Sequence, residues 1–106
     1  MDLSAIQQKA LKNEVVVLDV REQDEWDDGH LKVARLIPLS VLQDEAACAE
    51  AVAGLDKEIP IYCHCKAGVR AQYGADILKQ LGFEVTPMTM KYDTIVSAGF
   101  EESKEP

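Results

Sequence analysis

The segment of this 106-residue chain best equipped for chemistry is Cys65-Lys66-Ala67-Gly68-Val69-Arg70. It runs from an apolar stretch, Ile61-Tyr62-Cys63-His64, into an amphipathic one. A cysteine, a small-residue turn and an arginine just ahead of a helix make an anion cradle with a nucleophile at its floor. An ordinary free thiol is only about 3% ionised at neutral pH. Helix N-termini and neighbouring cations favour the thiolate, which is the reactive form. These residues therefore predict thiolate chemistry on an anionic substrate, with Cys65 as nucleophile and Lys66, Ala67, Gly68, Val69 and Arg70 as the anion-binding loop.

The other chemistry-bearing residues have plainer readings. A buried free cysteine is usually a small core residue; the glycine-containing turn and Arg70 set Cys65 apart from that default. Cys63 lies two residues earlier on the same strand face, roughly 7 Å away, beyond ordinary disulfide reach. It is read as strand core, with a Cys63–Cys65 redox pair as the lesser alternative. Cys48 sits among Ala46, Ala47, Ala49 and Ala51 and is read as helix filler. His64 stands between two cysteines, yet Cys-His-Cys in consecutive positions lacks the paired spacing of a zinc site. No metal is expected.

These residues need elements to position them. Ser4-Ala5-Ile6-Gln7 has capping-box spacing and predicts a short helix that Asn13 ends. Val15-Val16-Val17-Leu18-Asp19-Val20 is a β-branched run that predicts a strand buried on both faces. Glu22–Asp28 reads as a short acidic helix stopped by Gly29, and Leu36-Ile37-Pro38 as a brief extended piece. Asp44–Ala53 reads as a helix closed by Gly54. Ile59–His64 is the second strand. Ala71, Gly74, Ile77, Leu78 and Leu81 mark one helical face, with Gly82 beyond its end. Phe83–Thr86 predicts a third strand and Asp93–Ala98 a last helix before Gly99. Alternation of strands and helices predicts an α/β fold with a parallel sheet and helices on both faces. Ligands bind such folds at the carboxyl ends of strands, and the Cys65 turn directly follows one.

Composition narrows the partners. One domain over residues 1–100 is expected, with residues 101–106 as a flexible polar tail. A net charge of −8 argues against nucleic acid and anionic membrane surfaces. The N-terminal residues have no signal-peptide pattern, and no apolar run approaches bilayer length. Three cysteines form no disulfide framework, so a reducing, cytoplasmic setting is expected.

Two separated motifs resemble the rhodanese family. Leu18-Asp19-Val20-Arg21-Glu22, Glu25-Trp26, Gly29-His30-Leu31, Ala34 and Ile37-Pro38-Leu39 are similar to its N-terminal signature. Cys65–Arg70 resembles its active-site loop, and Ala75 through Gly82-Phe83 the segment after it. The resemblance covers about residues 3 to 100 and implies a three-layer rhodanese-like fold. It also implies a sulfurtransferase that needs no cofactor. Cys65 would take a sulfane sulfur from a donor such as thiosulfate, become a persulfide, and pass the sulfur to a thiol, cyanide or sulfur-carrier acceptor. Backbone N–H groups converging at a helix start suit that negative sulfur. Phosphatases related in fold place five residues between cysteine and arginine; here there are four, which favours sulfur over phosphate or arsenate.

This chain departs from the family pattern at the substrate rim. Ala67 and Ala71 stand where serine is common, Val33 where glycine is usual, and Met90-Lys91 and Ile95 where Gly-Gly and tryptophan are customary. A catalytically weak binding or regulatory module is therefore the alternative reading. Among the motif's charged residues, Asp19 is expected to hydrogen-bond backbone and Arg21 to pair with Glu25 at i, i+4. Trp26 is expected as a core anchor, His30 as a structural residue, and the acidic cluster Glu22, Asp24, Glu25, Asp27 and Asp28 as a solvated face.

Overall fold

The computed structural model describes residues 1–105. In chain order the elements are α1 (Leu3–Leu11), β1 (Val16–Asp19), α2 (Gln23–Asp27), β2 (His30–Leu31) and β3 (Ala34–Leu36). There follow α3 (Leu39–Leu42), α4 (Glu45–Val52), β4 (Ile61–His64), α5 (Val69–Gln80), β5 (Val85–Pro87), α6 (Tyr92–Ser97) and β6 (Glu102–Ser103). A four-stranded sheet has the order β3-β1-β4-β5, and every neighbouring pair is parallel. Leu18 lies opposite Cys63, and Asp19 opposite His64, so the two central strands end level with each other. That shared edge carries the Cys65 turn.

Strand alternation divides the core into two layers. Val16, Leu18, Val20, Ile61, Cys63, Cys65 and Val85 face one side, where Leu39 and Leu42 of α3, Cys48 of α4 and Ala71, Ala75 and Leu78 of α5 cover them. Val15, Val17 and Met88 face the other, under Ile6 of α1, Tyr92 and Ile95 of α6, and Phe100. Helices thus cover both sheet faces, the three-layer α/β arrangement expected from the sequence. Gly74 lets α5 approach the sheet closely: a Cβ there would come within 3.2 Å of Val20 Cγ1.

Two local expectations near the chain ends are corrected. The N-cap of α1 is Asp2, whose Oδ1 accepts from the Ala5 N–H at 3.0 Å, in place of a Ser4/Gln7 box. Gln7 instead reaches 92 residues along the chain, donating to the Gly99 carbonyl, and it accepts from the Glu101 N–H. The polar end is not simply a frayed tail: Glu102–Ser103 pairs antiparallel with His30–Leu31. Composition hides this pairing because the strand is short and polar, and its partner is distant in sequence. Residue 106 lies outside the described residues.

Arg21 does not pair with Glu25 as its helical spacing suggests. It lies before α2 begins, and its guanidinium turns back onto Asp19, with Nη2 to Oδ2 at 2.8 Å and Nε to Oδ1 at 3.0 Å. Asp19 Oδ1 also accepts the Arg21 backbone N–H at 2.9 Å, as expected of a strand-ending aspartate. Arg21 Nη2 further donates to the Gly29 carbonyl at 2.8 Å. Both side chains are buried. Breaking one partner of such a pair strands the other charge in the interior. Asp19→Ala is expected to lower unfolding free energy by about 3 kcal/mol; a loss below about 1 kcal/mol in urea denaturation would contradict this role.

Candidate active site

β4 delivers the chain to Cys65, and α5 leads away from Val69, so the intervening turn wraps around one sulfur. Cys65 is 1% exposed. Its Sγ accepts the Gly68 N–H at 3.0 Å and the Ala71 N–H at 3.3 Å. Those amides belong to the N-cap and first turn of α5, where N–H groups lack intrahelical acceptors. Gly68 makes the turn possible. Its φ is +98°, and an added Cβ would lie 2.2 Å from the Thr89 carbonyl oxygen. Glycine serves here both for its backbone conformation and for its lack of a side chain.

The remaining loop residues divide by position. Lys66 and Ala67 are exposed and line a cleft of about 440 Å³, shared with Arg21, Glu25, Asp28, Lys91, Tyr92 and Asp93. Val69 is 59% exposed and lies outside the cleft wall. Arg70 does not point freely into the cleft either. It forms a two-pronged pair with Glu25, including Nη2 to Oε2 at 2.9 Å, across 45 residues of sequence. The hydrogen bond from Arg70 holds the Glu25 carboxyl down to about 2. Arg70 therefore straps α2 to the start of α5. Glu22 is likewise committed, accepting from Ser40 Oγ at 2.6 Å. The acidic segment is consequently only partly a solvated face.

Tyr92 was not foreseen as part of this site, and Lys91 only as a departure from the family pattern at the substrate rim. The Tyr92 N–H donates to the Lys66 carbonyl at 2.9 Å, joining the start of α6 to the cysteine loop. Its phenol donates to Glu102 Oε2 at 2.8 Å, and the Arg21 guanidinium lies 4.4 Å from its ring centroid. Burial, reinforced by the Glu102 hydrogen bond, raises its pKa. A departure from the family pattern at Met90-Lys91 was the sequence signal nearest to both residues.

Cys63 and Cys48 follow their expected roles. All three thiols are free. Cys63 is buried and donates to the Ala71 carbonyl at 3.2 Å, and burial pushes its pKa up to about 12. Cys48 is buried on α4. His30 is structural: its Nδ1 lies 3.1 Å from the Trp26 carbonyl oxygen. Trp26 is a correction, half-buried rather than in the core, stacked on His30 at 3.5 Å between ring centroids.

Residues 3–98 match the Rhodanese-like domain family. This chain belongs to that family. The rhodanese-like domain is 32% identical over 73 residues to "Thiosulfate sulfurtransferase GlpE" of Coxiella burnetii, a match covering 69% of this chain and 63% of that protein. It is 33% identical over 69 residues to "Probable adenylyltransferase/sulfurtransferase MoeZ" of Mycobacterium tuberculosis, covering 65% of this chain and 17% of the relative. The fold agrees with that of the Bacillus halodurans BH2092 protein at a TM-score of 0.81 and 21% identity, covering 100% of this chain and 80% of that one.

Two outcomes follow from the site. Gly68→Ala is expected to lose about 2 kcal/mol or more in thermal or urea unfolding, through the Thr89 clash and the positive φ. A loss of only a few tenths would show that the turn relaxes freely. His64 sits fully buried beside this turn, with neither ring nitrogen hydrogen-bonded, and burial pushes its pKa down to about 4 from 6.5. The unfolded chain therefore takes up the proton first. Stability is expected to hold above pH 6.5, fall as the pH drops toward 4, and level off below that, a total of about 3 kcal/mol from this group. His64→Leu should flatten that limb of a stability–pH curve; an unchanged slope would assign it elsewhere.

Proposed function

We propose that this rhodanese-like domain is a sulfurtransferase working through a persulfide on Cys65. The observation that carries the reading is the Cys65 sulfur held by the Gly68 and Ala71 amides beside a cation-bearing cleft. Amide hydrogens aimed at sulfur stabilise negative charge without a general base. The Cys65 thiolate attacks the outer sulfur of thiosulfate; a new S–S bond forms, the donor's S–S bond breaks, and sulfite leaves with its electron pair. An acceptor thiolate or cyanide then attacks the outer persulfide sulfur, and Cys65 departs as thiolate.

Charge is conserved in both steps, and neither needs a metal or organic cofactor. Thiosulfate is the favoured donor because a 32% identical relative bears that substrate in its name. A persulfide donor and a sulfur-carrier acceptor fit the same chemistry. Within the loop, Gly68 supplies an amide, Lys66 and Ala67 form the substrate wall, Val69 opens α5, and Arg70 holds the loop's shape through Glu25. The rhodanese-like domain, including the Glu102–Ser103 strand that pairs back onto it, acts as the catalytic unit in a reducing, cytoplasmic setting, since the sulfur must return to a free thiol after each turnover. Among the described residues, no helix is long and apolar enough to cross a membrane.

Two features favour a second reading, a weakly active partner-binding module. Cys65 is 1% exposed, and Ala67 and Ala71 offer no hydroxyl to a substrate. Intact mass after thiosulfate, and again after cyanide, separates the two. Sulfurtransferase action predicts one added sulfur atom that cyanide removes, lost in Cys65→Ser and kept in Cys48→Ser. No sulfur uptake by the unaltered chain would overturn the persulfide reading.

A further inference from the structure

β6 reaches the cysteine loop through one side chain, although α5, β5 and α6 lie between them in the chain. Glu102 is anchored from several directions. Its strand pairs antiparallel with β2, Leu31 opposite Glu102, and the Lys32 N–H donates to the Glu101 carbonyl at 2.8 Å. Gln7 of α1 grips the same segment, donating to the Gly99 carbonyl at 3.0 Å and accepting the Glu101 N–H at 2.9 Å. From this anchored strand, Glu102 Oε2 accepts the Tyr92 phenol at 2.8 Å. The Tyr92 ring lies 5.9 Å from the His64 ring, centroid to centroid, with the Arg21 guanidinium 4.4 Å away. Tyr92 is also the residue whose backbone N–H donates to the Lys66 carbonyl, at 2.9 Å. Across a trans peptide the carbonyl and the next N–H point in opposite directions. Holding the Lys66 oxygen at α6 therefore also sets where the Ala67 N–H points, one residue before the Gly68 amide that meets the sulfur.

We propose that Tyr92 and Glu102 are positioning residues for Cys65. Their hydrogen bond seats the start of α6 and, through the Lys66 carbonyl, keeps the cysteine loop in the shape that receives sulfur. This rests on the persulfide reading above and adds no chemical step to it. Neither side chain bonds the Cys65 sulfur, whose partners are the Gly68 and Ala71 amides. They act on it only through the backbone they hold. Hydrogen bonds to a charged acceptor are the stronger kind, but Glu102 is exposed, and water weakens this one. Its loss, felt through one peptide group, is expected to slow sulfur uptake about two- to fivefold.

The test follows single-turnover uptake of sulfur by the full chain, read by intact mass over a range of thiosulfate concentrations. Tyr92→Phe and Glu102→Ala are each expected to lower the maximal uptake rate about two- to fivefold, with the half-saturating concentration unchanged. The double variant should lose no more than either single one, because both remove the same bond. Glu102→Gln keeps an acceptor oxygen and should restore most of the rate. Lys32→Gln removes only the exposed Lys32–Glu101 pair of the same segment and should leave uptake as in the unaltered chain. Circular dichroism checks that each variant is folded at the assay temperature; Tyr92→Phe, which keeps the ring, carries the test should Glu102→Ala unfold. Unchanged rates, losses that multiply in the double variant, or a loss that Glu102→Gln does not restore would overturn the proposal. So would faster uptake in either single variant, which would make the pair a shield over a sulfur that is 1% exposed. Should the unaltered chain itself take up no sulfur, the persulfide reading fails first, and this proposal with it.

Discussion

One sulfur accepting two amide hydrogens organises this molecule. For the Gly68 and Ala71 N–H groups to converge on Cys65, a buried strand must end one residue before the cysteine and a helix must start four residues after it. The chain between must also turn through a left-handed glycine pressed against the Thr89 carbonyl. Parallel pairing of β1 and β4 places that event at the carboxyl edge of the sheet, where helix starts and loops leave room for a ligand.

Around this turn, charged residues serve as braces. Asp19 and Arg21 neutralise each other at the end of β1, and Arg21 goes on to hold the Gly29 carbonyl and to stack over Tyr92. Glu25 and Arg70 clamp α2 to α5. Tyr92 joins the cysteine loop on one side and Glu102 of β6 on the other. Two arginines that might have served as anion receptors are thereby removed from the cleft's free charge.

How much of this the chain announces depends on the range of the interactions involved. The β-branched run Val15–Val20, the Ala71–Leu81 helical stripe and the Gly82 stop act within a few residues, and their elements appear within a residue or two of the expected limits. The cysteine turn was equally legible, because its cysteine, glycine and following helix are contiguous. Arg21 was misread because helical spacing to Glu25 presumes a helix that does not yet include it; the nearer, buried Asp19 wins. Trp26 was misplaced for a related reason: large apolar residues favour burial on average, yet in the five-residue α2 its ring stacks on His30 instead.

By itself the sequence determined the α/β alternation, the family, the cysteine with its amide-rich turn, and the narrow spacing to Arg70. Each is a local pattern set by backbone geometry and side-chain periodicity. Only the tertiary structure decided that Arg70 belongs to Glu25, that Tyr92 borders the cleft, and that Glu102–Ser103 closes against His30–Leu31. Those pairings join residues far apart in the chain. Charge and hydrogen bonding favour many partners equally until packing brings one of them within reach.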